Sequence, residues 1–195
     1  RSGWPRTFMA TRSRRSRDAD GTTITVTYFS RAGINMVAGR QQQLVVGNTA
    51  RVVIAIADKL SVATNAIEAV EPYPDSYQLT LARARREADQ QTWPPVERTP
   101  MRVGKVLLLG FPIWWGDLPR PVAAWLRQTQ LSGVTIYPFC THEGSRFGTS
   151  LTTIANLCPA ATVGLGLPVR GNRVQQADAA VRHWLVDNGL LQSTN

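Results

Sequence analysis

The chain has 195 residues, 43% hydrophobic and 18% charged, enough for one sizeable domain with a buried core. No apolar run approaches the roughly 18 residues needed to cross a bilayer as a helix. Two cysteines and two histidines are too few for a disulfide framework, and their spacing matches no zinc site. The net charge of +9 is concentrated at the start, where Arg1, Arg6, Arg12, Arg14, Arg15 and Arg17 face only Asp18 and Asp20.

Residues 1–22 lack hydrophobic periodicity and are predicted to form a basic, disordered or extended arm. Such an arm reads either as a grip for nucleic acid or anionic lipid, or as a solvated tail or trimmed leader. "RRSRD" resembles a twin-arginine signal, but no apolar segment follows it. The remaining residues, 23–195, are expected to form a single domain.

From Thr23 onward the pattern alternates. Thr23–Phe29 is β-branched and aromatic and predicts a strand. Residues 34–46 (INMVAGRQQQLVV) interrupt the following loop; Ala38-Gly39-Arg40 makes a turn between two short arms, so a hairpin or a surface insertion is expected. Thr49–Leu60 has helical spacing, with Val52, Val53, Ile56 and Leu60 on one side. Asn65–Val70 reads as a short strand and Tyr77–Gln90 as an amphipathic helix with Leu81, Ala84 and Ala88 inward. Val106–Leu109 is apolar throughout, as in a strand covered on both faces. Pro119–Gln128 reads as a helix with prolines in its first turn. Val134–Phe139 predicts a strand, Ser150–Leu157 a short helix and Thr162–Leu167 a last strand. Gln175–Asn188 closes the chain as a helix stopped by Gly189. Five strands alternating with helices imply a doubly wound α/β sheet, which binds ligands at the carboxyl ends of its strands.

Three loops leave those ends. The first holds Ser30, Asn48 and Thr49, with Gly33 and Gly47 allowing close backbone approach. Thr49 opens a helix whose free N–H groups suit a phosphate, although Asn48 or Thr49 also reads as a plain helix cap. No GK[ST] follows, which excludes a Walker loop, and no GxGxxG is present. The second loop, "GFPIWWGDLP", runs from Gly110 to Pro119. On extended backbone Trp114 and Trp115 point opposite ways, so one packs on the protein while the other offers a flat face; both also read as core side chains. The third, "CTHEGSRFG", runs from Cys140 to Gly148. His142 and Glu143 invite an acid–base reading, or simply make local hydrogen bonds. A Cys140–His142 nucleophilic pair competes with a buried, inert thiol at a strand end.

In this order, "YFSRAG…GNT", "GFPIWWGDLP" and "PFCTHEGSRFG" resemble the flavodoxin family, in its branch with PIWWG and THEGS loops, across nearly the whole chain after the arm. The resemblance implies a three-layer flavodoxin-like sandwich with a five-stranded parallel sheet in order 2-1-3-4-5. It implies FMN as cofactor, its phosphate on Ser30, Arg31, Ala32, Gly33, Asn48 and Thr49. The flavin ring would lie between Pro112, Ile113, Trp114, Trp115 and Gly116 on one side and Thr141, His142, Glu143, Gly144, Ser145 and Gly148 on the other, with Trp114 the tryptophan expected to flank it and Trp115 the one that anchors the loop. No catalytic residue and no metal are expected. The implied activity is electron transfer to a redox partner protein, with an FMN-dependent NAD(P)H:quinone or flavin reductase as the alternative. A cytoplasmic location is expected, or an exported or membrane-associated one if the N-terminus is a trimmed leader. Carriers of this family are usually acidic; this chain is basic, with Arg120 and Arg146 in or beside the ring loops, so an acidic partner is expected.

Overall fold

The computed structural model describes residues 23–99 and 102–193. The basic arm expected over residues 1–22 lies outside the described residues, and among those described no helix is long and apolar enough to cross a membrane.

A parallel sheet organises the chain. Its strands are β1 (Ile24–Tyr28), β4 (Thr64–Ala66), β5 (Val106–Pro112), β6 (Thr135–His142), β7 (Thr162–Val163) and β8 (Leu167–Arg170). Their spatial order is β4-β1-β5-β6, with β7 and β8 both pairing β6 at the far edge. This is the expected order once β7 and β8 are counted as one broken strand. The break is a bulge: three residues separate Val163 from Leu167, while two separate their partners Ile136 and Phe139. The extra residue falls in Gly164-Leu165-Gly166, where Gly164 lies against the ring of Tyr137 and Gly166 against that of Phe147.

β5 shows why both faces are covered. Val106 and Leu108 point into one core with Val52, Val53 and Ile56 of α1 (Asn48–Leu60) and Val181, Trp184 and Leu185 of α5 (Asp178–Asp187). Leu107, Leu109 and Phe111 point into the other, with Val122, Trp125 and Leu126 of α3 (Arg120–Gln128) and Ile154 of α4 (Ser150–Leu157). Period-two alternation on a strand apolar at every position yields two cores. Trp125 is buried and its indole N–H donates to Thr99 Oγ1 at 3.0 Å; truncating such a ring costs about 3–5 kcal/mol.

Several predicted boundaries shift. β5 and β6 run three residues further than expected, to Pro112 and His142, so Cys140, Thr141 and His142 stand on a strand rather than in a loop. The second strand stops at Ala66, and Ala69 instead bridges Val96. The last helix is split into a 3-10 turn (Gly171–Gln176) and α5, joined at Ala177. α2 (Tyr77–Asp89) buries only Thr80 and Ala84, and Leu79 is exposed, so its inner side borders a cleft more than a core.

The interrupted first loop is a hairpin, β2 (Gly33–Val37) and β3 (Arg40–Leu44), paired antiparallel and separate from the main sheet. Its turn has φ of +52° at Ala38 and +75° at Gly39, the two left-handed positions of a type I′ turn. β3 (RQQQL) is exposed along most of its length, while Gly33 and Val37 of β2 are buried.

Candidate functional site

A cleft of about 270 Å³ opens at the carboxyl ends of β1, β5 and β6. The three loops meet there.

One end is the start of α1. The helix is capped at Gly47 without any side-chain bond, so neither Asn48 nor Thr49 acts as its cap. Ser30, in the loop after β1, supplies a side-chain acceptor from outside the helix: its Oγ accepts from Ala50 N at 3.1 Å. Thr49 is buried and shares a 2.8 Å hydroxyl–hydroxyl hydrogen bond with Thr141, tying the helix start to the end of β6. Helix geometry leaves the N–H groups of Asn48 and Thr49 without intrahelical acceptors, at the positive end of the helix dipole. Ser30, Asn48, Thr49 and Thr141 all line the cleft.

The rest of the "SRAG" stretch behaves differently. The Arg31 guanidinium donates to the carbonyls of Ile34 (2.7 Å), Pro74 (2.7 Å) and Asp75 (2.7 Å). Its donors staple the hairpin base to the loop before α2, although the side chain still borders the cleft. Burial lowers its pKa and Asp75 opposes that shift. Ala32 is exposed and Gly33, at φ +89°, begins β2 against Asp75; neither lines the cleft. The insertion turns the chain outward after Arg31, which removes both residues from the helix start.

The tryptophans divide in the opposite sense to that expected. Trp114 packs edge-on against Phe29 (centroids 5.3 Å apart) and Tyr73 (4.9 Å) and borders the core shared with α3 and α4. Trp115 is 47% exposed, and its indole N–H donates to Leu81 O of α2 at 3.1 Å. The Arg85 guanidinium sits 4.7 Å from the centre of its ring. The backbone is not extended here: Trp114 and Asp117 exchange backbone hydrogen bonds around Trp115 (φ +52°) and Gly116 (φ +77°). Side chains here therefore do not alternate as on a strand, and Trp115 is the ring presented at the mouth. Pro112, Ile113 and both tryptophans line the cleft.

The ring loops are clamped to each other. Thr149 N donates to Gly116 O at 2.8 Å, and a Cβ at Gly148 would lie 1.9 Å from that oxygen. Gly116, Gly144, Ser145 and Gly148 shape these loops without lining the cleft; Ser145 O accepts from Gly148 N at 3.0 Å. Arg120, which follows the second ring loop in sequence, stacks on Trp93 at 3.9 Å and donates to Thr92 O.

Three side chains of the third segment have distinct chemistry. Cys140 is fully buried and donates to Arg146 O, and burial pushes its thiol up to about 12, the setting of an inert thiol rather than of an activated nucleophile. His142 lines the cleft with its Nδ1 buried and unpartnered. Burial, then Arg170 and Arg146, lower its pKa, so the neutral imidazole prevails at neutral pH. Glu143 borders the cleft, but its Oε2 accepts from Ala38 N of the hairpin turn at 2.7 Å.

Asn35 and Met36 of β2, Tyr77, Thr80, Leu81 and Ala84 of α2, and Gly171 also line the cleft. Sequence reasoning missed them because their place depends on how the hairpin and α2 pack. Thr80 and Ala84, small residues one helical turn apart, are the one local sign. Among the described residues no cluster of His, Cys, Asp and Glu could hold a metal ion.

A protein family described as flavodoxin matches residues 23–188. Among solved structures, a candidate flavoprotein from Bacteroides eggerthii is 23% identical, with 85% of this chain and 97% of that one covered and a TM-score of 0.68. One from Bacteroides uniformis is 20% identical, covering 82% and 97%, with a TM-score of 0.65. A flavoprotein from Lactobacillus acidophilus, solved in complex with FMN, is 15% identical, covering 84% and 98%, with a TM-score of 0.58. At these identities the likeness is one of fold. No curated protein matches the chain.

Proposed function

The chain belongs to the flavodoxin family, and from that premise we propose that it binds FMN in this cleft and passes electrons to a partner protein. One observation carries the reading: the cleft joins the free N–H groups of a helix start to an exposed tryptophan face, a phosphate end and a planar end. Its volume lies just under the range of about 300–1,000 Å³ usual for small-molecule sites, so a flavin nucleotide fills it and keeps an exposed edge.

When bound, FMN supplies reversible acceptance of one or two electrons; the protein supplies binding, orientation and electrostatics. Ser30, Asn48 and Thr49 would hold the phosphate, the last two through helix N–H groups. Trp115 would cover one side of the ring, held against tilting by its bond to Leu81 O. His142 would hydrogen-bond the cofactor through Nδ1, the buried atom left without a protein partner. Arg146 and Arg170, both exposed, lower the pKa of His142 by their charge. Positive charge there favours added negative charge in the cleft, so the reduction potential should lie above that of an acidic carrier.

The net charge of +9 and these exposed arginines support an acidic redox partner. Association with it should weaken as salt is added. Incubation of the flavin-loaded protein with NADH or NADPH separates the two activities of this fold. A carrier shows no steady turnover without a reductase; sustained oxidation with a quinone or free flavin as acceptor would instead establish a reductase.

A further inference from the structure

The β2–β3 hairpin is not absorbed by this reading. It is anchored at two places far apart in sequence. At its base, Ile34 N donates to Asp75 O at 3.0 Å and the Arg31 guanidinium spans Ile34, Pro74 and Asp75. At its tip, Ala38 N donates to Glu143 Oε2, across 105 residues of sequence. Between these anchors Asn35 and Met36 face the cleft, while β3 stays on the solvent side. The Asn35 amide nitrogen is committed to Arg31 O and Gly33 O, which holds its side chain at the cleft edge.

The tip anchor is built around a glycine. A Cβ at Gly171 would lie 2.4 Å from Glu143 Oε1 and 3.0 Å from Asn48 Nδ2. The Glu143 carboxylate therefore rests in a space that any side chain at 171 would fill, between the hairpin tip and the start of α1.

We propose that the hairpin is a fourth wall of the cofactor site, and that Glu143 is a positioning residue that latches it shut rather than a ligand of the cofactor. The proposal rests on the FMN reading for its occupant, but the latch does not. A two-stranded hairpin is barely stable alone in water, and the three residues between its anchors, 35–37, are held near the tip by this hydrogen bond and by buried Val37. Losing the bond should free the tip and uncover Asn35 and Met36 from the cleft. A Gln at 143 keeps an acceptor oxygen and should keep the latch without the charge.

Hydrogen exchange on the full chain, before any flavin is added, reads the latch alone. Glu143→Ala should speed exchange over residues 34–44 by about tenfold, leaving β1 and β5 unchanged. That factor equals about 1.4 kcal/mol, within reach of one hydrogen bond to a charged acceptor. Glu143→Gln should stay near wild type. Stopped-flow fluorescence then follows FMN: Glu143→Ala should raise both association and dissociation rates, and Glu143→Gln neither. Unchanged hairpin exchange in Glu143→Ala would overturn the latch. Faster exchange with unchanged FMN rates would overturn the wall. FMN rates in Glu143→Gln as altered as in Glu143→Ala, with exchange preserved, would make Glu143 a cofactor contact and overturn the positioning role. If wild type binds no FMN while its exchange responds as expected, the latch stands and the FMN reading alone fails.

Discussion

Two tight turns in this chain share a backbone shape and differ in everything else. At Ala38-Gly39 φ is +52° and +75°; at Trp115-Gly116 it is +52° and +77°. The first joins two strands at an exposed tip and has a small residue at its first left-handed position. The second places the bulkiest side chain in the same strained conformation, which costs about 1–2 kcal/mol for a residue with a Cβ. The Trp115 ring recovers little by burial, since it is 47% exposed at a cleft mouth. A strained residue at the edge of a cleft, recovering little by burial, is consistent with a functional role for its ring. The Ala38 turn closes a hairpin; the Trp115 turn aims a ring.

The largest effect should come from wedging the second turn open. Gly148→Ala adds a Cβ 1.9 Å from Gly116 O at a residue with φ +51°. Crowding of about 1–3 kcal/mol adds to a left-handed penalty of about 1–2 kcal/mol. Urea unfolding should show a loss of about 3 kcal/mol, with flavin affinity falling too. Next comes the tryptophan pair. Trp114→Ala should cost about 2–3 kcal/mol of stability, less than a fully buried ring because Trp114 is half-buried. Trp115→Ala should leave stability near wild type, since the ring is largely exposed and Ala keeps the same left-handed backbone, and weaken FMN about tenfold, or about 1.4 kcal/mol. Equal losses on both readouts for both variants would return the pair to a packing role.

Smaller again is the glycine pair. Gly39→Ala and Gly116→Ala each meet open space, with no atom within 4 Å of the new Cβ. Both should cost about 1 kcal/mol from strain alone. Only Gly116→Ala should also change flavin affinity, because only that turn carries a ring to the cleft. The smallest effect concerns acid. The folded protein holds His142 below the ordinary imidazole value of about 6.5. As pH falls below that value the unfolded chain takes up a proton that the folded one resists, so stability declines. Between about pH 7.5 and 5.5 the urea midpoint should drop more for wild type than for His142→Gln.

The sheet order, its two-sided burial and the convergence of three loops were legible because they depend on apolar patterning and topology rules. The Trp114–Trp115 assignment was not, because alternation presumes extended backbone and the pattern does not reveal a positive φ at a tryptophan. Ala32 and Gly33 were placed at the phosphate end because residue types alone do not show where an inserted hairpin turns the chain away. Glu143 read as a loop carboxylate because its partner, the Ala38 amide, is 105 residues distant in sequence and carries no side-chain signal.

FMN binding in the cleft is the central test. Purified protein, stripped of any bound flavin, is titrated with FMN while flavin fluorescence is followed. We predict quenching that saturates at one FMN per chain, with a Kd of about 1 μM or tighter, weakened in Trp115→Ala but not in Gly39→Ala. Fluorescence that stays unquenched at about a hundredfold higher concentration, in protein shown to be folded, would contradict it.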